Sequence, residues 1–111
     1  MHNQLMRSET PVVTAIVHRA LALGFDLGIA DEEALVIARS HHLPEILEAI
    51  GRTGFARLIV LEPRPSRRRI GSLVLTHAGE SSNELLVDIQ CHGAAAHAVL
   101  EEIAQAREQS H

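Results

Sequence analysis

The residues with the clearest chemical potential in this chain are the arginines of one short segment. Four of the ten basic residues fall within residues 63–69, which read Pro-Arg-Pro-Ser-Arg-Arg-Arg. A guanidinium stays charged at neutral pH and offers a planar set of donors that fits carboxylate and phosphate oxygens. We therefore predict that this segment contacts an anionic partner. The residues concerned are Arg64, Arg67, Arg68 and Arg69.

The rest of the chain has the opposite charge. The net charge is −4, and it would be −8 without these four arginines. An acidic body with one basic segment favours a partner that is recognised locally, either nucleic acid or an acidic protein surface. The alternative is that the arginines are solvated charges that protect a sheet edge from aggregation.

A second set of reactive residues consists of one cysteine and neighbouring histidines. Cys91, His92 and His97 are ligand types for zinc or copper, and the chain holds eight histidines. His92 and His97 are five residues apart, so one helical face cannot present both of them. A metal site would need another ligand, such as His77 or the pair at residues 41 and 42. The alternative is that Cys91 is a small buried apolar residue.

Catalytic patterns are weaker. Ser81 and Ser82 precede Asp88 and His92, which are the residue types of a nucleophilic triad, but no nucleophile elbow accompanies them. The chain contains neither lysine nor tyrosine, which excludes Schiff-base catalysis and a tyrosine acid. The sequence favours a protein without enzymatic activity and without a cofactor.

The first half of the chain has helical patterns. Thr10 can cap a helix that continues with apolar residues at helical spacing, and Gly24 can end it. Asp31 and the two glutamates after it resemble the start of a second helix, which Pro44 would end. A short third helix would stop at Gly51.

The second half has strand patterns and then one more helix. Phe55–Leu61, residues 70–76 and residues 85–90 are rich in Leu, Ile and Val and are separated by turn-forming segments. An amphipathic helix is predicted for residues 93–109. The sequence thus predicts an α+β fold: three N-terminal helices, a three-stranded antiparallel meander and a C-terminal helix. The arginine segment would be the tip of the first hairpin.

That order suggests a second function. Three helices followed by a hairpin with a basic tip is the element order of a winged-helix DNA-binding regulator. The third helix argues against it, because Glu45 and Glu48 would face the DNA and Arg52 is its one cation. Burial of this helix through Leu47 and Ile50 would disfavour the alternative further.

Length and composition complete the prediction. A chain of 111 residues suits one domain, which we place at residues 10–109 after a flexible stretch at 1–9. A lone cysteine indicates a reducing cytoplasm, and no apolar stretch is long enough to cross a membrane. Uncovered sheet edges and a core without bulky aromatics favour a homodimer. We therefore expect a small regulatory or adaptor module.

Overall fold

The computed structural model describes residues 10–32, 34–51, 55–77 and 85–109. Within these ranges, α-helices and strands alternate in the order α-β-β-α-β-β-β-α, and a short 3-10 helix follows. The elements are α1 (Thr10–Ala22), β1 (Asp26–Ala30), β2 (Leu35–Ser40), α2 (Leu43–Gly51), β3 (Phe55–Leu61), β4 (Arg69–His77), β5 (Leu85–Cys91), α3 (Ala94–Gln105) and η1 (Ala106–Gln109). No helix in the described ranges is long and apolar enough to cross a lipid bilayer.

The strands form one antiparallel sheet in the order β2-β1-β3-β4-β5. The central strand β3 pairs with β1 on one side, where Leu58 lies opposite Ile29, and with β4 on the other, where Leu58 lies opposite Leu73. β4 continues to β5 with Leu73 opposite Ile89. β2 and β5 are therefore the outer strands of the sheet.

The core lies between one face of the sheet and the helices. Alternate strand residues such as Leu27, Leu58 and Leu73 are fully buried and join α1 residues such as Ile16 in one apolar cluster. α1 contacts both α2 and α3, which places the helices on the same face. On β5 the alternate residues on the opposite face of the sheet, including Asp88, are exposed to solvent. A period of two in the strand sequence produces this one-sided burial.

The predicted fold class is wrong in its first half, since the residues assigned to a second helix form a β-hairpin. Asp31 Oδ1 accepts a hydrogen bond from the Ala34 backbone N–H at 2.7 Å, and the Asp31 N–H donates to the Ala34 carbonyl at 3.0 Å. An aspartate at a helix N-cap makes the same contact to the N–H three residues on. The run that follows Ala34 is aliphatic and prefers a strand. The sheet therefore has five strands and not three.

The remaining element predictions agree with the structure. The first helix is confirmed as Thr10–Ala22, and the three predicted strands are confirmed as β3, β4 and β5. The last helix is confirmed as Ala94–Gln105 with η1 after it. The short helix predicted to stop at Gly51 is confirmed as Leu43–Gly51, and Pro44, predicted to end the helix before it, lies instead in its first turn. The predicted flexible stretch at 1–9 lies outside the described residues.

The pairing of β1 with β2 is irregular at Gly28. Leu27 lies opposite Ser40 whereas Ile29 lies opposite Ile37, so β2 holds an extra residue here. A Cβ atom at Gly28 would stand 2.9 Å from the Ala38 carbonyl oxygen. Glycine is thus required for the close approach of these two strands.

Candidate anion-binding site

The arginine turn, residues 63–69, connects β3 to β4 and has a closely bonded backbone. The Glu62 N–H donates to the Arg68 carbonyl at 3.0 Å, and the Ser66 N–H donates to the Pro63 carbonyl at 3.1 Å. The Ser66 hydroxyl donates to the Glu62 carboxylate at 2.8 Å and accepts from the Arg68 N–H at 3.1 Å. The Arg64–Pro65 peptide bond is cis. These contacts define the path of the turn.

A fifth arginine, from β2, holds the turn against the sheet. Arg39 Nη1 donates to the Ser66 carbonyl at 2.9 Å, and Nη2 donates to the Glu62 carbonyl. Arg39 Nε lies 2.9 Å from Asp26 Oδ2 of β1, and these side chains are 18% and 8% exposed. We call Asp26, Arg39 and the two carbonyls the turn base. It joins β1, β2 and the arginine turn.

The contact between Asp26 and Arg39 is an ion pair more than an aligned hydrogen bond. Neither Asp26 Oδ2 nor Arg39 Nε has a hydrogen-bond partner within the described residues, although the two atoms are in ion-pair range. A buried carboxylate needs a compensating charge nearby. Arg39 provides that charge, and its other nitrogens are satisfied by the turn.

The turn base was not predicted from the sequence. A signal was present, because Asp26 begins an apolar strand and Arg39 follows an aliphatic run in β2, and charges in such runs need partners. Their partnership depends on β1 lying between β2 and β3. That adjacency was hidden once the residues of β2 had been assigned to a helix.

The four predicted anion-binding arginines all lie on the surface of the same turn. The Arg64 and Arg68 side chains are 64% and 76% exposed. Arg64 Nε is 4.0 Å from Asp26 Oδ2, and Arg68 Nη1 is 3.5 Å from Glu62 Oε2. Long ion pairs made by arginines as exposed as these contribute little to stability, although the Asp26 carboxylate is itself buried.

The other two arginines differ in their contacts. Arg69 Nη2 donates to the Ser72 hydroxyl at 2.5 Å. Arg67 is exposed and makes no ion pair with any residue in the described ranges. We call Arg64, Arg67, Arg68 and Arg69 the turn tip. Its charges remain accessible to an external anion.

An open groove of about 930 Å³ lies beside the arginine turn, between the start of β4, the end of β5 and the first turns of α3. Arg68 and Arg69 lie on its rim. Its floor includes Gly71, where a Cβ atom would stand 2.7 Å from the Gln90 carbonyl oxygen and 2.8 Å from Cys91 Cβ. The absence of a side chain at Gly71 allows β4, β5 and α3 to pack closely under the groove.

The predicted metal ligands are only partly brought together. Cys91 and His92 line the groove, whereas His97 is exposed on α3 and does not line it. Within the described residues, no three His, Cys, Asp or Glu side chains are close enough to hold a metal ion. Ser81 and Ser82 of the nucleophilic pattern lie outside the described residues.

The expected burial of Cys91 is wrong, because its side chain is half-buried in the groove wall and Sγ lies 4.0 Å from the Gly93 carbonyl oxygen. The sequence placed it at the end of a strand, where burial depends on what α3 covers. The groove leaves this end of β5 partly open.

The winged-helix alternative lacks its structural basis. It requires three consecutive helices before the hairpin, and Leu35–Ser40 is a strand. Ile46 and Ile50 of α2 are fully buried in the core, and Glu45 accepts a hydrogen bond from the Ser40 hydroxyl at 2.6 Å. α2 therefore packs against the sheet as a structural element.

Comparisons with family models, curated proteins and solved structures found no match to this chain.

Proposed function

We propose that this protein is a small non-enzymatic regulatory or adaptor module of the cytoplasm that contacts an anionic partner through the turn tip. The observation that carries the proposal is the turn base. Arg39 donates to the carbonyls of Ser66 and Glu62, which fixes the backbone from which the exposed arginines project. A preorganised site loses less conformational entropy on binding than a flexible loop.

The charge distribution supports the same proposal. The turn concentrates four positive charges on a chain whose net charge is −4. The acidic remainder repels an anionic partner everywhere else, which directs that partner to the turn. This uneven distribution of charge would set the orientation of the bound partner as well as its affinity.

The test compares two variants that remove the same charge. In the tip variant Arg64, Arg67, Arg68 and Arg69 become serine. In the matched control Arg7, Arg19, Arg52 and Arg107 become serine, of which Arg7 and Arg52 lie outside the described residues. Binding to polyglutamate and to a short DNA duplex is measured by fluorescence anisotropy.

We expect the tip variant to lose binding and the control to retain it. Equal losses in both variants would contradict a local site, and no binding by the parent at low salt would contradict the proposal as a whole. If the duplex binds through phosphates, its affinity should fall with salt at a slope of about −0.9 per contact, or about −3 to −4 for the tip.

We also propose that the module is a homodimer. The support is the outer strand β2, which carries two exposed aliphatic side chains, Leu35 and Val36, at 56% and 39% exposure. Sedimentation should give a dimer at micromolar concentration, and Val36→Lys should shift it to a monomer. A strictly monomeric parent would refute this assembly.

A further inference from the structure

We infer that the groove beside the arginine turn binds an aliphatic side chain of an acidic protein segment. The inference rests on the proposed function and deepens it, because it assigns the partner to protein and not to nucleic acid. The acidic residues of the segment would contact the rim, and the aliphatic side chain between them would enter the groove.

The wall of the groove is the first support. Its half-buried lining is aliphatic or otherwise apolar and comes from both sheet and helix. These residues are Ile70, Ile89, Cys91, Ala96 and Val99. Burial of an aliphatic group against such a wall removes apolar surface from water on both partners. His92 supplies one ring beside the groove, but the wall itself is aliphatic and offers a nucleobase no aromatic platform.

The rim is the second support. Arg68 and Arg69 line the groove beside Glu62. The Glu62 carboxylate is already engaged, since it accepts from the Ser66 hydroxyl at 2.8 Å and lies 3.5 Å from Arg68. The charge left to an incoming ligand is positive, which complements carboxylates on either side of an aliphatic anchor.

The size of the groove is the third support. At about 930 Å³ it exceeds the space that one aliphatic side chain needs and accommodates the adjoining backbone as well. It is continuous with the arginine turn, so one extended segment can reach the rim and the wall together.

The test uses two short acetylated peptides on the full chain. In one, glutamates flank a single leucine, and in the other a serine replaces the leucine. Because an aliphatic side chain that leaves water typically strengthens binding by about tenfold or more, the leucine peptide should bind about tenfold more tightly. The tip variant should bind neither peptide.

Two matched substitutions on α3 test whether the leucine of the peptide binds in the groove. Ala95 is exposed and lines the groove, whereas Ala98 is exposed and does not line it. Ala95→Phe should fill the groove and abolish the preference for leucine, and Ala98→Phe should leave the preference unchanged. Thermal melting confirms that both variants fold. Equal effects of the two substitutions would overturn the inference.

The thiol of Cys91 supplies an independent readout, because it is the single cysteine of the chain and lines the groove. The leucine peptide should slow its alkylation by iodoacetamide several-fold, and the serine peptide should slow it much less.

The outcomes separate the two proposals. If both peptides bind equally and both need the turn tip, the groove inference fails and the proposed function stands. If neither the peptides nor the duplex binds, both fail. If only the duplex binds, the partner is nucleic acid and the groove inference is again overturned.

Discussion

The turn base and the turn tip use the same kind of side chain in opposite ways. Arg39 in the base is 18% exposed, whereas Arg64 and Arg68 in the tip are 64% and 76% exposed. Arg39 Nε lies 2.9 Å from the Asp26 carboxylate, whereas the tip arginines lie 3.5 to 4.0 Å from the nearest carboxylates. Burial thus separates an arginine that maintains the structure from arginines whose charge is exposed to solvent.

The largest effect should come from breaking the base. Arg39→Leu leaves the Asp26 carboxylate buried beside the poorly placed Arg64, and removal of one partner of a buried pair destabilises by about 3 kcal/mol. Unfolding in urea should show this loss of free energy. The arginine turn should also lose its fixed backbone, so polyglutamate binding should weaken although the whole tip is present.

A double-mutant cycle checks the cause. Because apolar replacement of both partners is often close to neutral, Asp26→Leu combined with Arg39→Leu should recover most of the lost stability. If the two losses simply add, Asp26 and Arg39 act independently and the base is not a coupled unit.

The next largest effect should come from Gly28, which lies opposite the segment of β2 that carries Arg39. Gly28→Ala places a Cβ atom 2.9 Å from the Ala38 carbonyl oxygen, which is too close, so the backbone of β1 or β2 must move. Overpacking of this kind destabilises by about 1 to 3 kcal/mol. Urea unfolding should report that loss, accompanied by weaker binding at the tip.

Gly24→Ala is the matched control for Gly28. Gly24 has φ +97°, and a Cβ atom there would meet nothing within 4 Å, so alanine strains the backbone without touching the base. It should lower stability yet leave polyglutamate affinity unchanged. Weaker binding by this control would mean that any loss of stability impairs the site.

The smallest effect on stability should come from the tip. Replacing its four arginines by serine removes two long ion pairs made by exposed arginines, which contribute from about 0 to 1 kcal/mol each, and the part-buried hydrogen bond from Arg69 to the Ser72 hydroxyl, which contributes about 1 kcal/mol. Chemical denaturation should place the tip variant close to the parent while its binding is lost. A large loss of stability would show that the tip is structural, and the contrast with the base would disappear.

The sequence predicts those parts of the structure whose interacting residues are close together along the chain. α1, α3 and the strands β3 to β5 follow from periodicity and from local stop signals such as Gly24. The hairpin of β1 and β2 was missed because Asp31 makes a contact common to helix starts and tight turns, and only sheet pairing decides between them. The turn tip could be predicted because its arginines lie close together in the sequence. The turn base could not, because its residues come together only through the order of the strands in the sheet.

The long sequence separation between Arg39 and the carbonyls that it bonds has a consequence for how the arginine turn forms during folding. Arg39 reaches across 23 residues to Glu62 and 27 residues to Ser66. Asp26 and Arg39 lie on β1 and β2, and both strands precede the arginine turn in the sequence. The arginine turn is therefore held by contacts of high sequence separation, which form only when β2, β1 and β3 are paired.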